Sequence, residues 1–502
     1  MQGQSLTKQT AWLMMAKICA FCLAVAVPLL IVRRLSPFEY GLYKEAFQAI
    51  STAINVLPLG FGMTAYYFLP RYKERQAEVV FHVVLFCLFV GSLACLALAF
   101  FPGLLVLLFK EPSLAPYAPW VGGIIILSIC GAFLEVVTVA NREIRFASLC
   151  IISLQLSRTT FLLSAALFFG TVKALVVASL LQGIMQVAWL FGYLHSRFPG
   201  FWKRVDWGLL RAQFKYALPL GSVGLLYSVQ NDLHNYFVSR TLGADIFAVY
   251  SVGCFDLPLI GLVSEAVASV LIIRVSELQH QNDTKEIIAV TARATRKLAA
   301  IFFPAYALLM VVAPEFITVL FTARYLPSVP VLRINLTLLA GSILFTDPII
   351  RAYPQHLPFL VKLRILLFAV LAGALWFATT RFGMIGAVTV TVAITLLERA
   401  ITAIFFLRVL GFGKSDLAAF QDLRKLAVAA AIPAFVTVLV RLGMQGMRPF
   451  VVLLVCGLVF GAVYCVAILF LRVVTPEERE TALRSLAPWV PPALKNGLAK
   501  VF

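Results

Sequence analysis

The sequence predicts an all-α polytopic membrane protein with about fourteen transmembrane helices. Of its 502 residues, 61% are hydrophobic and 13% are charged, whereas soluble domains carry about 25% charged residues. The mean hydropathy of +0.94 comes from continuous apolar runs, many of which reach the roughly 20 residues that a helix needs to cross a bilayer. Strands of an outer-membrane barrel would instead alternate apolar and polar residues over about ten positions, which disfavours a barrel.

The apolar runs divide the chain into fourteen predicted spans. They lie at residues 10–32, 43–69, 79–101, 119–140, 147–169, 173–195, 214–239, 244–271, 298–321, 329–350, 362–380, 384–408, 426–442 and 450–472. The first span is not expected to be a cleaved signal peptide, because its long apolar run carries Lys17 and lacks a small-x-small cleavage site. All nine cysteines lie within apolar runs, so we expect no structural disulfide.

Basic residues indicate how these spans are oriented. An even number of spans places both termini on the same side of the membrane. The segments on that side, with the helix ends that flank them, contain 28 Lys and Arg residues, whereas the segments on the other side contain 11. Because cytoplasmic loops are enriched in Lys and Arg, both termini are expected in the cytoplasm. The net charge of +19 is spread over many loops, which argues against nucleic-acid binding and favours anionic membrane lipids.

Three short segments recur in the same order in the two halves of the chain. The pairs are residues 33–43 with 240–250, 102–109 with 314–321, and 169–177 with 382–390, at offsets that rise from 207 to 213. A duplication with small insertions would produce this slow rise, so spans 1–6 and 7–12 are predicted to be two copies of one unit. Six is an even number, so the copies are parallel, and a substrate is expected between the two bundles near the midplane. Chance similarity among apolar helices is the alternative.

The duplication divides the chain into five predicted parts. They are an N-terminal six-helix lobe at 1–195, a cytoplasmic linker at 196–213, a C-terminal six-helix lobe at 214–410, two additional transmembrane helices within 411–472, and a cytoplasmic tail at 473–502.

Four segments carry a resemblance to a known family. They begin with "RRLSPFEYGLY", "YALPLGSVGLL", "APEFITVLF" and "FGMIGAVTV", and they lie at 33–71, 216–253, 313–334 and 382–400. The chain resembles bacterial polysaccharide-biosynthesis flippases of the Wzx type, in the MOP flippase superfamily, over most of residues 5–410. The resemblance implies a V-shaped pair of six-helix lobes, alternating access and a location in the bacterial inner membrane. It also implies an undecaprenyl-diphosphate-linked oligosaccharide as cargo, for O-antigen, capsule or exopolysaccharide synthesis.

This resemblance is more specific for the fold than for the substrate. Lipid II flippases and MATE drug exporters share the superfamily fold. The glycines and small residues usual in the family's first helix are sparse here, so no cavity residue is carried over by motif at that helix.

Three basic residues fall well inside predicted spans: Lys17, Arg158 and Arg399. A charged group within a bilayer is costly, and it usually faces a bundle interior or water. On the flippase interpretation the three line a cationic cavity that binds the diphosphate, since arginine presents forked donors and lysine a point charge. The alternative is that Lys17 snorkels to the interface and the arginines form internal structural pairs, with Glu398 available beside Arg399.

Acidic residues also fall inside the predicted spans. They are Glu135, Asp232, Asp256, Glu265, Asp347 and Glu398. Such groups carry protons or bind ions in many transporters, and the candidates for coupling to a proton or sodium ion are Asp232, Asp256, Glu265 and Glu398.

The most polar stretch inside any span is "QNDLHN" at 230–235. Its polar side chains are Gln230, Asn231, Asp232, His234 and Asn235, and they cover more than one helical turn. An apolar helix tolerates such a stretch only against water, a partner helix or a ligand. We interpret Gln230, Asn231, Asp232 and Asn235 as a cavity wall that meets sugar hydroxyls, and His234 as a hydrogen-bonded interior group.

Three functions remain open. The first is transport of the lipid-linked oligosaccharide. The second is a drug or metabolite exporter of the same superfamily, although those typically have twelve spans. The third is a membrane polysaccharide polymerase or ligase, for which the outer loops are too short to bring catalytic residues to the sugar.

No catalytic, cofactor or metal-binding motif is found in the sequence. "GFGKS" at 411–415 lacks the first glycine of a P-loop, and His, Cys and acidic residues do not cluster. We therefore expect neither an enzyme nor a bound cofactor or metal. The expected partners are the lipid-linked cargo, membrane lipids, a coupling proton or sodium ion, and a polysaccharide polymerase.

Overall fold

The computed structural model describes residues 6–203, 205–255, 257–344, 346–471 and 473. Asp256 and the greater part of the predicted tail lie outside these residues. The described chain consists of helices joined by short turns, with no strand among them. The helices are α1 Leu6–Arg34, α2 Pro37–Val56, α3 Thr64–Phe68, α4 Gln76–Phe100, α5 Gly103–Phe109, α6 Ala118–Ala140, α7 Ile144–Ser164, α8 Val172–Arg197, α9 Trp207–Leu242, α10 Ala244–Gly253, α11 Pro258–His280, α12 Thr284–Phe321, α13 Val329–Gly341, α14 Asp347–Ala352, α15 Leu357–Val409, α16 Asp422–Gly443 and α17 Pro449–Phe470.

Within the described residues, nine helices are long and apolar enough to cross a membrane. A tenth span is formed if α2 and the following segment Phe61–Phe68, bent by 45°, are taken together. The predicted all-α polytopic membrane fold is thereby confirmed, while the number fourteen stays a prediction. Two helices account for part of the difference. The 53 residues of α15 cover two predicted spans, and α9 is long but contains the polar stretch 230–235.

Besides the bent second span, two predicted spans are interrupted in the structure. The eighth is divided between α10 and α11, and the tenth between α13 and α14. Pro258 is the first residue of α11 and Pro348 the second of α14. Proline favours the first turn of a helix and disfavours the helical conformation of the residue before it. The prediction of a continuous helix was wrong in both places for this reason.

The segments that recur in the sequence occupy similar breaks in the backbone. Helix α4 ends just before Pro102, and α12 is kinked at Val312, two residues before Pro314. Gly170 separates α7 from α8 and Gly383 interrupts α15, with φ angles of 59° and 58°. Glycine adopts positive φ angles without steric cost. These similarities are local, and the parallel six-helix repeat stays a prediction.

The polar turn between α1 and α2 is a helix start. The Ser36 hydroxyl accepts a hydrogen bond from the Glu39 backbone N–H at 3.2 Å, and the Glu39 carboxylate accepts one from the Ser36 backbone N–H at 2.9 Å. This capping box, with Pro37 at the first helical position, satisfies donors that the helix cannot. At the corresponding place before α10, Gly243 makes the turn with φ of 87° and no side-chain cap.

The described chain divides into two compact units. Unit 1 contains the described residues of Met1–Phe255 and Val361–Thr391, and unit 2 those of Asp256–Leu360 and Val392–Phe502. Helix α6 is the centre of the unit 1 core, with twelve buried residues along its length. These units are not the two predicted lobes. The lobe limits at 195 and 214 come from the duplication in the sequence and stay a prediction.

Helices α16 and α17 pack against α12 in unit 2. The Arg441 Nε atom donates to Glu315 Oε1 at 2.8 Å, and the Tyr464 hydroxyl donates to the Ala300 carbonyl at 2.8 Å. Buried Val312, Val452 and Cys456 form an apolar cluster at the same contact. The two additional C-terminal helices are therefore attached to α12 by both polar and apolar contacts.

Candidate functional site

Lys17 of α1 forms an ion pair with Glu135 of α6. The Lys17 Nζ atom lies 3.5 Å from Glu135 Oε1, and the two side chains are 39% and 45% exposed. Both residues lie inside helices that are apolar enough to span a membrane. A charge pair in such a helix needs water or another polar surface around it, so this exposure favours a hydrated space beside α1 and α6.

Arg158 lies on α7, the helix that packs against α1, and its side chain is exposed. Arg158 and Lys17 are therefore both in unit 1 and both partly open to their surroundings.

Arg399 lies in unit 2, where it binds the end of α13. Its Nη1 atom donates to the Ser342 hydroxyl at 2.7 Å and to the Leu338 carbonyl at 3.3 Å. A cation at the C-terminal end of a helix interacts favourably with the helix dipole. One of the guanidinium nitrogens of Arg399 is therefore already hydrogen-bonded to α13 and the residue that follows it.

The acidic candidates are dispersed. Glu265 is exposed on α11, and Glu398 is half-buried beside Arg399 on α15. Asp256 lies outside the described residues, and of Asp347 only the backbone position at the start of α14 is described. Among the described residues, no group of three His, Cys, Asp or Glu side chains is arranged to hold a metal ion.

Three side-chain hydrogen bonds join α2 to the part of α9 that contains the polar stretch. The Thr52 hydroxyl donates to Asp232 Oδ2 at 2.7 Å, and the Asn235 amide donates to Gln48 Oε1 at 3.1 Å. The Ser239 hydroxyl donates to the carboxyl group of Glu45. We call this set the α2–α9 ladder, and its residues are Glu45, Gln48 and Thr52 on α2 with Asp232, Asn235 and Ser239 on α9.

The ladder residues are spaced so that they share one face of each helix. On α2 they are three and four residues apart, and on α9 three and four residues apart, which is the spacing of neighbours on a helix surface. The residue numbers rise on α2 as they fall on α9, so the two helices are antiparallel here. Asp232 and Asn235 were predicted from the sequence, whereas their partners on α2 were not. Polar residues at helical spacing in an otherwise apolar run were the signal that could have found Gln48 and Thr52.

Glu45 and Ser239 are the most buried members of the ladder, and Glu45 is the one that carries a carboxyl group. The Glu45 side chain is fully buried, and its Oε2 atom has no hydrogen-bond partner in the described chain. Native proteins pair nearly all buried polar atoms, so an unpaired carboxyl oxygen at a helix interface calls for a partner.

The remaining polar residues of the stretch have different surroundings. Gln230 is buried and Asn231 is exposed. The His234 Nδ1 atom lies 2.8 Å from the Tyr250 hydroxyl of α10, so His234 is hydrogen-bonded within unit 1.

A buried polar network holds the start of α9 against α3 and α4. His82 Nδ1 lies 2.8 Å from Gln213 Oε1, and the Asp206 backbone N–H donates to His82 Nε2 at 3.2 Å. Because Nε2 accepts a hydrogen bond, Nδ1 must carry the ring proton and donate to Gln213. The Gln213 amide in turn donates to Thr64 Oγ1 at 3.4 Å, and these three side chains are fully buried.

Asp206 lies at the edge of this network and begins α9. Its Oδ1 atom accepts a hydrogen bond from the Leu209 backbone N–H at 2.8 Å, and its other oxygen binds Arg75. The backbone N–H of Leu209 and the Arg75 guanidinium lower the pKa of the Asp206 carboxyl. This network was not predicted from the sequence, because its members are spread over three helices and a loop.

Comparison with known proteins gives the family and the fold. A family model described as "Polysaccharide biosynthesis protein" matches residues 30–330. No curated protein matches the sequence. Among solved structures, the inward closed conformation of the lipid II flippase MurJ matches with a TM-score of 0.70 and 17% identity, covering 91% of this chain and 98% of that one.

Two other transporters show the same fold. An inward-facing multidrug resistance MATE family transporter of the MOP superfamily matches with a TM-score of 0.60 and 15% identity, covering 85% of this chain and 97% of that one. A MOP superfamily transporter from Pyrococcus furiosus matches with a TM-score of 0.54 and 16% identity, covering 84% of this chain and 96% of that one. The chain therefore has the fold of MOP superfamily transporters.

Proposed function

Because this chain belongs to the polysaccharide biosynthesis protein family, we propose that it moves an undecaprenyl-diphosphate-linked oligosaccharide from the cytoplasmic to the outer leaflet of the bacterial inner membrane. The observation that carries the proposal is the family match over residues 30–330, which lies on a fold shared with a lipid II flippase. The excess of Lys and Arg in one set of loops supports cytoplasmic termini.

Lys17 and Arg158 are the proposed ligands of the diphosphate in unit 1. Both are partly open to their surroundings, and Glu135 is the counter-ion of Lys17 when no phosphate is present. A diphosphate carries more negative charge than one carboxylate, so it displaces Glu135 from Lys17 on electrostatic grounds. Arg399, in unit 2, is the third proposed phosphate ligand, since its forked donors suit phosphate oxygens.

The sugars are proposed to bind the polar residues of α9, Gln230, Asn231, Asp232 and Asn235. Amide and carboxyl groups donate to and accept from hydroxyls. The polyprenyl tail stays in the lipid while the polar head crosses within protein. Movement of the two predicted lobes against each other alternates access to the two sides. Coupling to a proton or sodium ion is proposed to involve Asp232, Asp256, Glu265 or Glu398.

A second candidate function is the export of a soluble drug or metabolite. The fold shared with a multidrug resistance MATE transporter favours it. The family match over residues 30–330 and the two additional helices α16 and α17 favour the lipid-linked cargo.

A gene deletion in the native strain distinguishes these functions. The measurements are the membrane sidedness of the lipid-linked oligosaccharide, the amount and length of the surface polysaccharide, and drug sensitivity. On the proposed function, the lipid-linked repeat unit accumulates on the cytoplasmic face and surface polysaccharide is lost. Normal sidedness of the lipid-linked unit with altered polymer length would indicate a polymerase. Normal polysaccharide with increased drug sensitivity would indicate an exporter.

A further inference from the structure

The α2–α9 ladder lies between two points where glycine brings helix backbones together. A Cβ atom on Gly41 would lie 2.0 Å from the Ala244 carbonyl oxygen of α10, and one on Gly221 would lie 1.9 Å from the Leu59 carbonyl oxygen. Helix α2 and the turn after it are thus held against α9 and α10 at both ends by backbone contacts. Between those ends the contact includes the three hydrogen bonds of the ladder.

Such a contact is suited to separation. Hydrogen bonds between membrane helices are individually weak, so those of the ladder can be exchanged for bonds to other partners at small cost. Both helices lie in unit 1 of this structure, whereas the predicted duplication assigns α2 to the N-terminal lobe and α9 to the C-terminal lobe. Movement of these predicted lobes against each other would separate the two helices. The ladder then loses its internal partners.

Separated ladder groups need new hydrogen-bond partners. Lipid tails offer none, and an unpaired polar group in an apolar medium is costly. The ladder presents amides, hydroxyls and carboxyl groups, the groups that bind sugar hydroxyls as both donors and acceptors. Glu45 already has one buried oxygen without a partner in the described chain.

We infer that the α2–α9 ladder is the glycan-recognition element of this protein, and that its hydrogen bonds are exchanged for bonds to sugar hydroxyls when α2 and α9 separate. Glu45, Gln48 and Thr52 of α2 are thereby specificity residues alongside Asp232 and Asn235 of α9. The inference rests on the proposed function, because it assumes a sugar-bearing cargo.

The test compares two fluorescent lipids in proteoliposomes: undecaprenyl diphosphate bearing a disaccharide and undecaprenyl diphosphate without sugar. The wild-type protein is expected to move the sugar-bearing lipid faster, by about tenfold or more, since sites built to bind hydroxyls reject analogues that lack them. The combined variant Gln48→Met with Asn235→Leu is expected to bring the two rates close together. Thr52→Val, which preserves shape, is expected to reduce the ratio in the same direction.

A matched control keeps the test specific. Gln182 lies on α8 and donates to Gln186 of the same helix at 3.2 Å, so Gln182→Met removes a glutamine from a span without touching the ladder. This variant is expected to keep the wild-type ratio. Thermal unfolding of each purified variant shows whether it is folded, and Thr52→Val keeps the test valid if the combined variant is not.

The outcomes separate the inference from the proposed function. If the wild-type protein moves both lipids equally, or if ladder variants keep the wild-type ratio, the ladder does not recognise glycan and the inference fails while the flippase function stands. If ladder variants slow both lipids by the same factor, the ladder only fixes the register of the helices, and the inference again fails. If the wild-type protein moves neither lipid, the proposed function itself fails.

A cross-link gives an independent measurement of helix separation. Cysteines replacing Gln48 and Asn235, in a variant without the native cysteines, are joined by a short bifunctional thiol reagent. The cross-linked protein is expected to stop moving the sugar-bearing lipid, and a cleavable reagent is expected to restore movement on reduction. Normal movement with the cross-link in place would overturn the exchange of partners.

Discussion

Lys17 and Glu135 form an ion pair that is open to its surroundings, with side chains 39% and 45% exposed. Exposed ion pairs contribute only about 0–1 kcal/mol to stability. The pair therefore contributes little to holding α1 against α6, which leaves Lys17 available for an anionic ligand.

Removing both proposed diphosphate ligands of unit 1 is expected to stop transport without unfolding the protein. The variant Lys17→Met with Arg158→Met should slow movement of the sugar-bearing lipid by about 100-fold or more, because each hydrogen bond to a charged group is worth about 1.5–3 kcal/mol. Proteoliposome transport and thermal unfolding are measured together. Glu135→Gln is the control, since it removes only the counter-ion and should still allow transport. Normal transport by the double variant would remove both residues from the site.

At the level of single helices, the contact between α9 and the turn after α2 depends on Gly221. Its position leaves no room for a Cβ atom, whereas a Cβ atom on Gly224 of the same helix would have no heavy atom of another residue within 4 Å. Gly221→Ala is expected to destabilise the protein by about 1–3 kcal/mol through overpacking. Gly224→Ala should be neutral or stabilising, because alanine is the better helix former. Thermal unfolding of the two variants gives the comparison, and equal melting temperatures would contradict the close backbone contact.

The interruption of α15 depends on Gly383, whose φ of 58° is unfavourable for other residues. Gly383→Ala is expected to cost about 1–3 kcal/mol, because φ of 58° with ψ of −143° is a conformation that only glycine adopts readily. Gly373, on the same helix, has open space around it and no positive φ, so Gly373→Ala is the control and should be tolerated. The two variants would unfold at the same temperature if α15 were a continuous helix.

Prolines and glycines in the sequence account for much of the local structure. The capping box at Ser36 and the breaks near Pro102, Gly170 and Gly383 follow from residues whose backbone preferences are strong. Pro258 and Pro348 likewise mark helix starts. The breaks before them were not predicted, because the apolar runs that contain them are long enough for a continuous span.

On the α2 side of the ladder, the sequence carries only the helical spacing of polar residues, which does not identify the helix that they face. Asp232 and Asn235 are conspicuous because they lie in a polar stretch. Gln48 and Thr52 are separate polar residues on a helix that is otherwise largely apolar. Their pairing joins residues about 180 positions apart, and the periodicity of one helix holds no information about the register of its neighbour. For the same reason the sequence did not reveal the network of His82, Gln213 and Asp206.

On the scale of the whole molecule, the all-α membrane fold followed from composition and from the four resembling segments. The chemistry of the substrate did not follow from the sequence. The same fold occurs, at 15–17% identity, in a lipid II flippase and in a multidrug resistance transporter. The unit boundaries also required the structure, since they depend on contacts between distant helices.

The attachment of α16 to α12 makes a prediction about the additional helices. Arg441 and Glu315 are 32% and 15% exposed, and Glu315 has a second oxygen that is buried without a partner in the described chain. Arg441→Met is expected to destabilise the protein by about 3 kcal/mol, because it leaves a carboxylate without its cation. Adding Glu315→Gln should recover most of the loss. If Arg441→Met with Glu315→Gln is no more stable than Arg441→Met alone, the ion pair does not hold α16 against α12.

The central claim, that this protein moves a lipid-linked oligosaccharide across the membrane, is tested most directly in proteoliposomes. A fluorescent undecaprenyl-diphosphate disaccharide is placed in both leaflets, and a membrane-impermeant quencher reports the fraction that reaches the outside, with and without proton or sodium gradients. The account predicts protein-dependent movement that Lys17→Met with Arg158→Met abolishes. Absence of movement with several disaccharides, in a preparation that exports a soluble dye, would contradict it.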